Sequence, residues 1–412
     1  MDERIKQAEN RVRGVFDAIE ETEYYNSRKV LKAFRDHAIS EAHFVPTTGY
    51  GYDDLGREAL DAVYAQIFDG EDALVRHTII SGTHAIALCL SANLRPGDLL
   101  LSVTGKPYDT LEETIGIRGD QSGSLKEFGV AYHQVNLLED GSPDYEAIEK
   151  ALHKNPKMVM IQRSKGYEWR KSLDMVTMAQ LIRFIKQNSN AIVLVDNCYG
   201  EFVERTEPTT HGADLIAGSL IKNPGGGLAP IGGYIVGKKQ YIENIANRLT
   251  CPGIGKECGA SLGISKSFFQ GIFLAPQVVA SALKTAVLSS AVFEDLGYEV
   301  CPLPFEKRTD IIQAIKFGDE DRLVAFCQGI QKGSPIDSHV VPEPWDMPGY
   351  AHQVIMAAGA FVQGSSIELS ADAPIKDPFI AFQQGGLTYS YGKLGLKFAL
   401  ENLQGKNILQ KN

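Results

Sequence analysis

The sequence predicts an α/β protein with a mainly parallel sheet covered by helices on both faces and a smaller second domain. The main observation is the alternation of helix and strand patterns between residues 54 and 196, which is typical of parallel sheets with helical crossovers. The second is size, because 412 residues of which 44% are hydrophobic can bury more than one core. We expect an N-terminal helical segment (1–45), a large domain (46–274), and a connecting helix with a small C-terminal α/β domain (275–412).

The individual elements follow from hydrophobic periodicity and from residues that start or stop helices. Apolar residues at helical spacing predict two N-terminal helices, at 3–19 and 27–39. Ser142 and Pro143 suit the N-cap and the first position of a following helix. The order expected from residue 54 is helix 54–68, strand 73–80, helix from 83, strands 99–103 and 130–135, helix 143–152, strand 158–161, helix 175–187 and strand 191–195. A long helix over 276–296 then leads to the small domain.

Composition excludes several classes of protein. A net charge of −10 argues against a nucleic-acid partner, whose phosphates would be repelled. The stretch 271–293 is the nearest to a membrane span, but Pro276, Gln277 and Lys284 interrupt it, which favours a buried helix. The charged residues 1–6 do not resemble a signal peptide, and the six cysteines have no CxxC spacing. We therefore expect a cytoplasmic protein with reduced thiols and no metal site.

Two residues at strand ends point to a cofactor. The apolar strand 191–195 runs into Asp196, and Lys222 follows Ser219 and precedes a proline and three glycines. Pyridoxal phosphate (PLP) needs a lysine amine for a Schiff base and a carboxylate that keeps its ring nitrogen protonated. Each residue alone has an ordinary explanation, because an aspartate at a strand end is normally a turn former and a lysine is normally solvated. Together they predict a PLP site.

The turn after the strand 73–80 offers a place for the phosphate. Gly82 and Thr83 begin a helix there, and amide groups and the dipole at a helix N-terminus favour an anion. Ser219, three residues before the lysine, would add a hydroxyl. The alternative is an ordinary strand-to-helix turn capped by Ser81 or Thr83, with the Ser219 hydroxyl satisfying local backbone groups.

Tyr108 is expected at the same rim. It follows the strand 99–103, and ligands of such sheets bind beyond the carboxyl ends of the strands. There it can stack on the pyridine ring and give a proton to a leaving group. The alternative is that this tyrosine only fills space in a loop.

The order of these residues resembles the cysteine/methionine-metabolism branch of fold type I PLP enzymes. More closely, the segments 47–57, 107–113 and 383–388 resemble the bacterial methionine γ-lyase-like proteins often called aluminium resistance proteins. The resemblance covers residues 40–400. It implies a fold type I, transferase-like PLP enzyme that cleaves a carbon–sulfur bond by β- or γ-elimination of a sulfur amino acid such as cystathionine or methionine.

The resemblance also assigns roles to single residues. It implies that Lys222 holds the cofactor, Asp196 pairs with the ring nitrogen, Tyr108 stacks on the ring, and Gly82, Thr83 and Ser219 hold the phosphate. The branch completes each site from a second subunit through a Tyr-x-Arg segment, which implies a homo-oligomer with shared sites, a dimer assembled further into a tetramer. Here that segment reads Tyr52-Asp53-Asp54. Arg57, one helical turn later, either replaces the missing arginine or lies on a helix face.

A second departure concerns the substrate. The better-known lyases bind the substrate carboxylate through an arginine near the last strands, but no arginine follows Arg322 here. Arg163 and Arg170 are the candidates to replace it, because the guanidinium fork suits a carboxylate; the alternative is that they are solvated loop residues. Tyr50 is a further candidate for substrate contact.

Other functions stay open at this point. A PLP transaminase or decarboxylase would use the same Asp196 and Lys222. A PLP-binding regulator or a metal-sequestering protein is a third class. For the latter, the pairs 53–54 and 112–113 supply too few clustered oxygen ligands for a hard cation, and solvated acidic faces explain them.

Overall fold

The structure is a computed structural model that describes residues 1–119, 122–347 and 352–409. The helices of this part of the chain are α1 (Asp2–Arg11), α2 (Arg13–Asp36), α3 (Leu55–Ile67), α4 (Gly82–Asn93), α5 (Asp109–Ile115), α6 (Tyr145–Leu152), α7 (Met175–Asn188), α8 (Lys239–Leu249), α9 (Ser265–Asp295), α10 (Glu320–Lys332) and α11 (Tyr389–Gly405). The strands are β1 (Asp72–Arg76), β2 (Leu99–Ser102), β3 (Ala131–Gln134), β4 (Met158–Gln162), β5 (Ile192–Asp196), β6 (Leu215–Ser219), β7 (Gly233–Gly237), β8 (Glu299–Cys301), β9 (Gln313–Lys316), β10 (Val354–Ala357), β11 (Ser370–Pro374) and β12 (Ile380–Gln384).

Seven strands form the large sheet, in the order β1-β7-β6-β5-β4-β2-β3. Only β7 runs antiparallel to its neighbours, β1 and β6. The central strands are buried on both faces because side chains of alternating direction enter two cores, one with α3, α6, α7 and α9 and the other with α4, α5 and α8. Such double coverage is the rule for parallel sheets. The predicted mainly parallel α/β fold is confirmed.

Five antiparallel strands form the small sheet, in the order β10-β11-β12-β9-β8. One of its faces packs on α1, α10, α11 and the end of α9 and forms the hydrophobic core of the small domain. The opposite face contributes Ile312, Ala314 and Phe382 to a small cluster that includes Tyr167 and Tyr199 from the first sheet's loops. The two sheets therefore meet across this cluster.

Helix α9 links the two halves of the chain, because its first turns enter the core of the large sheet and its last turns the core of the small one. It is long and apolar enough to cross a membrane, but 78% of its most apolar stretch is buried within the protein. The sequence predicted a start at Pro276, whereas the helix begins at Ser265. Proline disfavours a helix interior, and here the burial of Phe268 and Phe269 extends the helix past it.

Three other predicted boundaries were wrong. The expected gap between the two N-terminal helices is helical, because Asn26 is buried there and donates to the carbonyls of Phe202 and Glu204, at 3.0 and 3.1 Å. Helix α6 begins at Tyr145, since Asp144 and not Ser142 accepts the capping hydrogen bond. Strand β1 ends at Arg76 rather than at 80. The division into segments 1–45, 46–274 and 275–412 stays a prediction.

Candidate active site

The candidate site lies at the carboxyl ends of the central strands of the large sheet. Asp196 is the last residue of β5, Ser219 is the last residue of β6, and Lys222 follows three residues later. The N-terminus of α4 lies against them, because a Cβ placed on Gly82 would be 3.1 Å from the Cys198 sulfur and 3.4 Å from the Ser219 Cβ. Strands that run parallel end at one edge, and this edge collects the groups.

The N-terminus of α4 has free hydrogen-bond donors. The Ser81 hydroxyl accepts from the His84 amide at 3.1 Å, and the Ser81 carbonyl accepts from the Ala85 amide at 3.0 Å. Among the hydrogen bonds of the described residues, none uses the amides of Gly82 and Thr83. Two unpaired amides at the positive end of a helix are suited to an anion such as a phosphate.

Asp196 is a buried carboxylate whose negative charge is balanced by few protein groups. Its Oδ1 accepts from the Cys198 amide at 3.1 Å. Burial raises the pKa of Asp196, while the nearby Lys222 charge and the Cys198 amide act to lower that pKa. A carboxylate at this position can hold a protonated ring nitrogen.

Lys222 lies over an aromatic ring. Its Nζ is 4.0 Å from the centroid of Tyr199, an arrangement that stabilises a cation. Burial alone would lower the pKa of Lys222, but Tyr199 and Cys198 raise that pKa well above its usual range. The Tyr199 hydroxyl lies 3.2 Å from the Ser366 hydroxyl, which links the site to the segment before β11. Sequence reasoning missed Cys198 and Tyr199, although their position directly after Asp196 was a usable signal.

Tyr108 reaches the same rim. Its hydroxyl donates to the Thr83 Oγ1 at 2.8 Å, and its amide donates to the Gln162 side chain at 3.0 Å. Burial, aided by the Asp196 charge, raises the pKa of Tyr108. The phenol is therefore neutral at pH 7 and carries a proton that it can donate.

The predicted substrate arginine lies elsewhere. Arg163 is fully buried, and its guanidinium pairs with Glu204 at 3.1 Å and Glu207 at 3.4 Å and donates to Asn197 at 2.9 Å. Two carboxylates thus already match its charge, and removing one would leave a buried ion uncompensated. The guanidinium is therefore engaged by protein partners, and the substrate contact predicted from sequence stays a prediction. Arg170, the other candidate, donates to Glu168 and to two backbone carbonyls.

Tyr50, Tyr52 and Arg57 form a separate group. The Arg57 guanidinium donates to the carbonyls of Gly51, Gly259 and Glu257, at 2.6, 2.8 and 3.2 Å, and so joins the loop 49–53 to the loop 257–261. Tyr50 and Tyr52 are 73% and 60% exposed, with ring centroids 5.6 Å apart. None of the described hydrogen bonds or ring contacts connects this group to Lys222 within one chain.

The small sheet supplies a second wall that sequence reasoning did not anticipate. Asp372 on β11 accepts at Oδ2 from the Tyr167 hydroxyl at 3.2 Å and from the Gln384 amide at 3.0 Å. Burial raises the pKa of Asp372 to about 6, and Tyr167, then Lys222, act against that rise. The Tyr167 ring lies 5.3 Å from the ring of Phe382. No residue pattern near Asp372 marked it, because its partners come from distant segments.

These residues fit PLP. The cofactor needs a lysine amine, an acid for its ring nitrogen, an aromatic partner and donors for its phosphate. Lys222, Asp196, Tyr108 and the free amides of Gly82 and Thr83 are of these types and lie along one edge. No group of three or more histidine, cysteine or acidic residues suited to hold a metal ion occurs in the part of the chain that the structure describes.

Comparison with known proteins identifies the family. Residues 1–404 match the sequence profile of the methionine gamma-lyase family. The uncharacterized protein YnbB of Bacillus subtilis is 53% identical over 400 residues, which are 97% of this chain and 95% of that protein.

Solved structures agree with this assignment. The crystal structure of a carbon–sulfur lyase involved in aluminium resistance from Clostridium novyi has a TM-score of 0.94 and 52% identity, and the match covers 97% of this chain and 95% of that one. A Listeria monocytogenes protein, for which cystathionine β-lyase activity and a part in aluminium resistance are proposed, has a TM-score of 0.96 and 49% identity, over 98% and 100% of the two chains.

A distant structure supports the fold alone. The PLP-dependent protein YhfS of Escherichia coli has a TM-score of 0.64 at 15% identity, over 94% of this chain and 97% of that one. The predicted family, fold type and cofactor are confirmed. This chain belongs to the methionine γ-lyase family, and it is an enzyme of PLP fold type I whose cofactor is pyridoxal 5′-phosphate.

Proposed function

We propose that the protein is a carbon–sulfur lyase that cleaves a sulfur-containing amino acid by β- or γ-elimination, releasing a thiol, ammonia and a 2-oxo acid. The observation that carries the proposal is the convergence on one rim of a lysine amine, a buried carboxylate and a helix N-terminus with two free amides. The family match and the names of the relatives support the same reaction class.

PLP, when bound, supplies an electron-accepting ring next to the substrate Cα. The protein groups around it have separate roles. Asp196 provides the negative charge that keeps the ring nitrogen protonated, and the amides of Gly82 and Thr83, with Ser219, hold the phosphate. These contacts fix the cofactor so that the reacting atoms meet Lys222 and Tyr108 in a constant orientation.

Two residues move protons. The Lys222 Nζ, once it is a free amine, takes the proton from the substrate Cα as general base. The neutral Tyr108 hydroxyl, oriented by Thr83 at 2.8 Å, gives a proton to the departing sulfur. Proton removal and proton delivery thus come from two groups on the same rim.

A screen of products tests this function. Purified protein loaded with PLP is incubated with cystathionine, cysteine, homocysteine and methionine, and thiol, ammonia and 2-oxo acid are measured; Lys222→Ala protein is the control. We expect all three products from at least one substrate and none from the control. Borohydride reduction followed by peptide mapping should place the cofactor mass on Lys222. Formation of a partner amino acid without thiol would instead indicate a transaminase, and a label on another lysine would refute the site.

We further propose that two subunits share each site, within a dimer that assembles into a tetramer. Tyr50 and Tyr52 are exposed in a loop whose Gly51 carbonyl accepts from Arg57. Backbone hydrogen bonds from Gly259 to Tyr50 and from Leu262 to Thr47 join this loop to a neighbouring segment, and exposed apolar side chains occur in both segments, at Val45, Leu55 and Leu262. An apolar exposed group of this kind is typical of a subunit interface. We also propose a cytoplasmic location, since all six cysteines are free, as is usual in reducing compartments.

Subunit mixing tests the shared site. Lys222→Ala and Tyr52→Ala proteins, each inactive alone, should regain part of the activity after subunit exchange, because one interface then combines an intact Lys222 with an intact Tyr52. Tyr391→Ala, which removes a tyrosine 69% exposed on the small domain, is the matched control and should stay active alone. Demonstrated hybrids without recovered activity, or full activity of Tyr52→Ala alone, would show that each site belongs to one chain.

A further inference from the structure

The face of the small sheet that meets the large sheet places a carboxylate, Asp372, beside an apolar cluster. Asp372 lies opposite Phe382 in the register of β11 and β12, and Phe382 packs in the cluster that contains Tyr167 and Tyr199. The Tyr199 ring in turn lies 4.0 Å from the Lys222 Nζ. Lys222 and Asp372 are close enough that the lysine charge lowers the pKa of the acid. Asp372 therefore faces the space next to Lys222 from the side opposite the large sheet.

Neutral groups hold this carboxylate. The Tyr167 hydroxyl and the Gln384 amide both donate to Oδ2, and no hydrogen bond among the described residues reaches Oδ1. No ion pair of the described chain includes Asp372. Neutral donors orient a carboxylate without forming an ion pair, so only electrostatic attraction from Lys222 opposes the cost of burying this charge, and a buried charge without a paired cation is costly. Such a group in a cleft is a candidate for ligand binding.

The last three strands of the small sheet have no arginine with which to bind an anion. None occurs after Arg322 in the sequence, so β10, β11 and β12 have none. Arg163 is fully buried and engaged by Glu204 and Glu207.

Arg308, in the segment before β9, donates to Gln313 on β9 and to the Ala286 carbonyl, and Lys165 donates to the Cys301 carbonyl. Asp372 forms an ion pair with neither of these cations, and its carboxylate favours a positively charged group on the substrate.

We propose that Asp372 selects a substrate whose leaving group, beyond the scissile carbon–sulfur bond, carries an ammonium group. This inference rests on the proposed lyase function and names its substrate class. Cystathionine and cystine belong to this class, and methionine and homocysteine do not. Tyr167 and Gln384 are positioning residues, because they act through the hydrogen bonds that they donate to Asp372.

A matched pair of substrates tests the proposal. S-(2-aminoethyl)-L-cysteine and S-propyl-L-cysteine have side chains of nearly equal size and differ in an ammonium group against a methyl group; their homocysteine homologues serve in the same way if elimination occurs at Cγ. Wild-type protein should favour the ammonium substrate in kcat/KM. Asp372→Asn, which keeps an oxygen acceptor for Tyr167 and Gln384, should lower that preference by at least about tenfold, as expected for a hydrogen bond to a charged group, and should change kcat/KM for the propyl substrate little.

Two further measurements separate the outcomes. Asp377→Asn removes a charge from the exposed loop after the same strand and should leave the preference unchanged. Calorimetric binding of the two amino acids to Lys222→Ala protein, which cannot complete elimination, should show the same loss of selectivity when Asp372→Asn is added. Equal losses for both substrates in kcat alone would overturn the proposal and would mean that Asp372 positions Lys222. Release of no thiol from any substrate by the wild type would refute the lyase function itself, a distinct result.

Discussion

Two aspartates approach Lys222 from opposite sheets, and they differ in how the chain holds them. Asp196 ends a parallel strand and accepts from the amide of Cys198, two residues further along. Asp372 lies within an antiparallel strand, and its donors, Tyr167 and Gln384, are 205 and 12 residues away in sequence. Burial raises the pKa of both acids, and Lys222 acts against the rise in both. The electrostatics are thus similar, while one site is built locally and the other only by the tertiary fold.

The difference separates two tasks of the site. A cofactor is common to many enzymes, and its contacts are made by short segments at strand ends and helix starts. The substrate side chain meets a wall that exists only after the two sheets have come together. We expect changes at Asp196 to abolish the chemistry for every substrate, and changes at Asp372 to alter the choice among substrates.

The largest expected effect follows from Asp196→Asn. This change keeps the shape of the side chain but removes the charge that holds the ring nitrogen protonated, so exchange of the substrate Cα proton should fall by about three powers of ten. Deuterium exchange at Cα, followed by NMR, measures this step apart from elimination. Circular dichroism should show an unchanged fold. Near-normal exchange would mean that Asp196 merely terminates a strand.

This contrast also explains what could be predicted from the sequence. Asp196, Ser219, Lys222 and the turn at Gly82 each follow a recognisable strand, and parallel strands end at one edge, so their meeting could be expected. Their individual roles stay predictions. Nothing in the sequence around Asp372 shows that this residue of a short strand faces a site rather than solvent.

Other contacts that the sequence did not reveal have the same origin. Arg163 follows a strand like the other rim residues, but the carboxylates of Glu204 and Glu207 pair with it, and no local pattern reveals such a pairing. The helix over Asn26 continues because distant carbonyls at 202 and 204 accept from that side chain. Local rules thus predicted elements and strand ends, while contacts between distant segments decided the rest.

A smaller effect should follow from pH. The pKa of Asp372 is raised to about 6, so below that pH the acid is neutral and loses its attraction for a cation. The ratio of kcat/KM for the aminoethyl and propyl substrates should therefore be constant above about pH 7 and fall toward tenfold per unit below the pKa. Tyr167 and Lys222 face Asp372, and Cys327 on α10 lies behind it in the core of the small domain. The pKa values of Lys222 and Cys327 are both raised above their usual ranges, so these two groups keep their protons over this pH range.

In the ratio of the two kcat/KM values, the effects of ionisations common to both substrates cancel, such as those of the α-amino group and of Lys222. The Asp372→Asn protein provides the matched control, and its ratio should not vary between pH 5 and 8. A wild-type ratio that is equally flat would show that the charge of Asp372 takes no part in selection.

The smallest effect on catalysis is expected from a third acid, to which the proposed reaction assigns no role. Glu201 is fully buried below the rim, where its Oε1 accepts from the Tyr234 hydroxyl at 2.7 Å. Its Oε2 and the nearby Tyr64 hydroxyl have no hydrogen-bond partner among the described residues. Burial raises the pKa of Glu201 from an ordinary 4.5 to about 8. Between these values the folded protein holds a proton that the unfolded chain has released.

Protein stability should therefore decrease as pH rises through this window, since the free energy of unfolding falls wherever the native state binds more protons. The slope has an upper limit of about 1.4 kcal/mol per pH unit. Glu201→Gln keeps the shape without a titratable proton. The unfolding free energy of the wild type minus that of the variant, from urea titrations at pH 5, 6, 7 and 8, should therefore decrease steadily along this series. Substrate preference and Cα exchange should not change. Parallel stability curves would show that Glu201 is ionised despite its burial, and burial alone would then be a poor guide to the state of Asp372 as well.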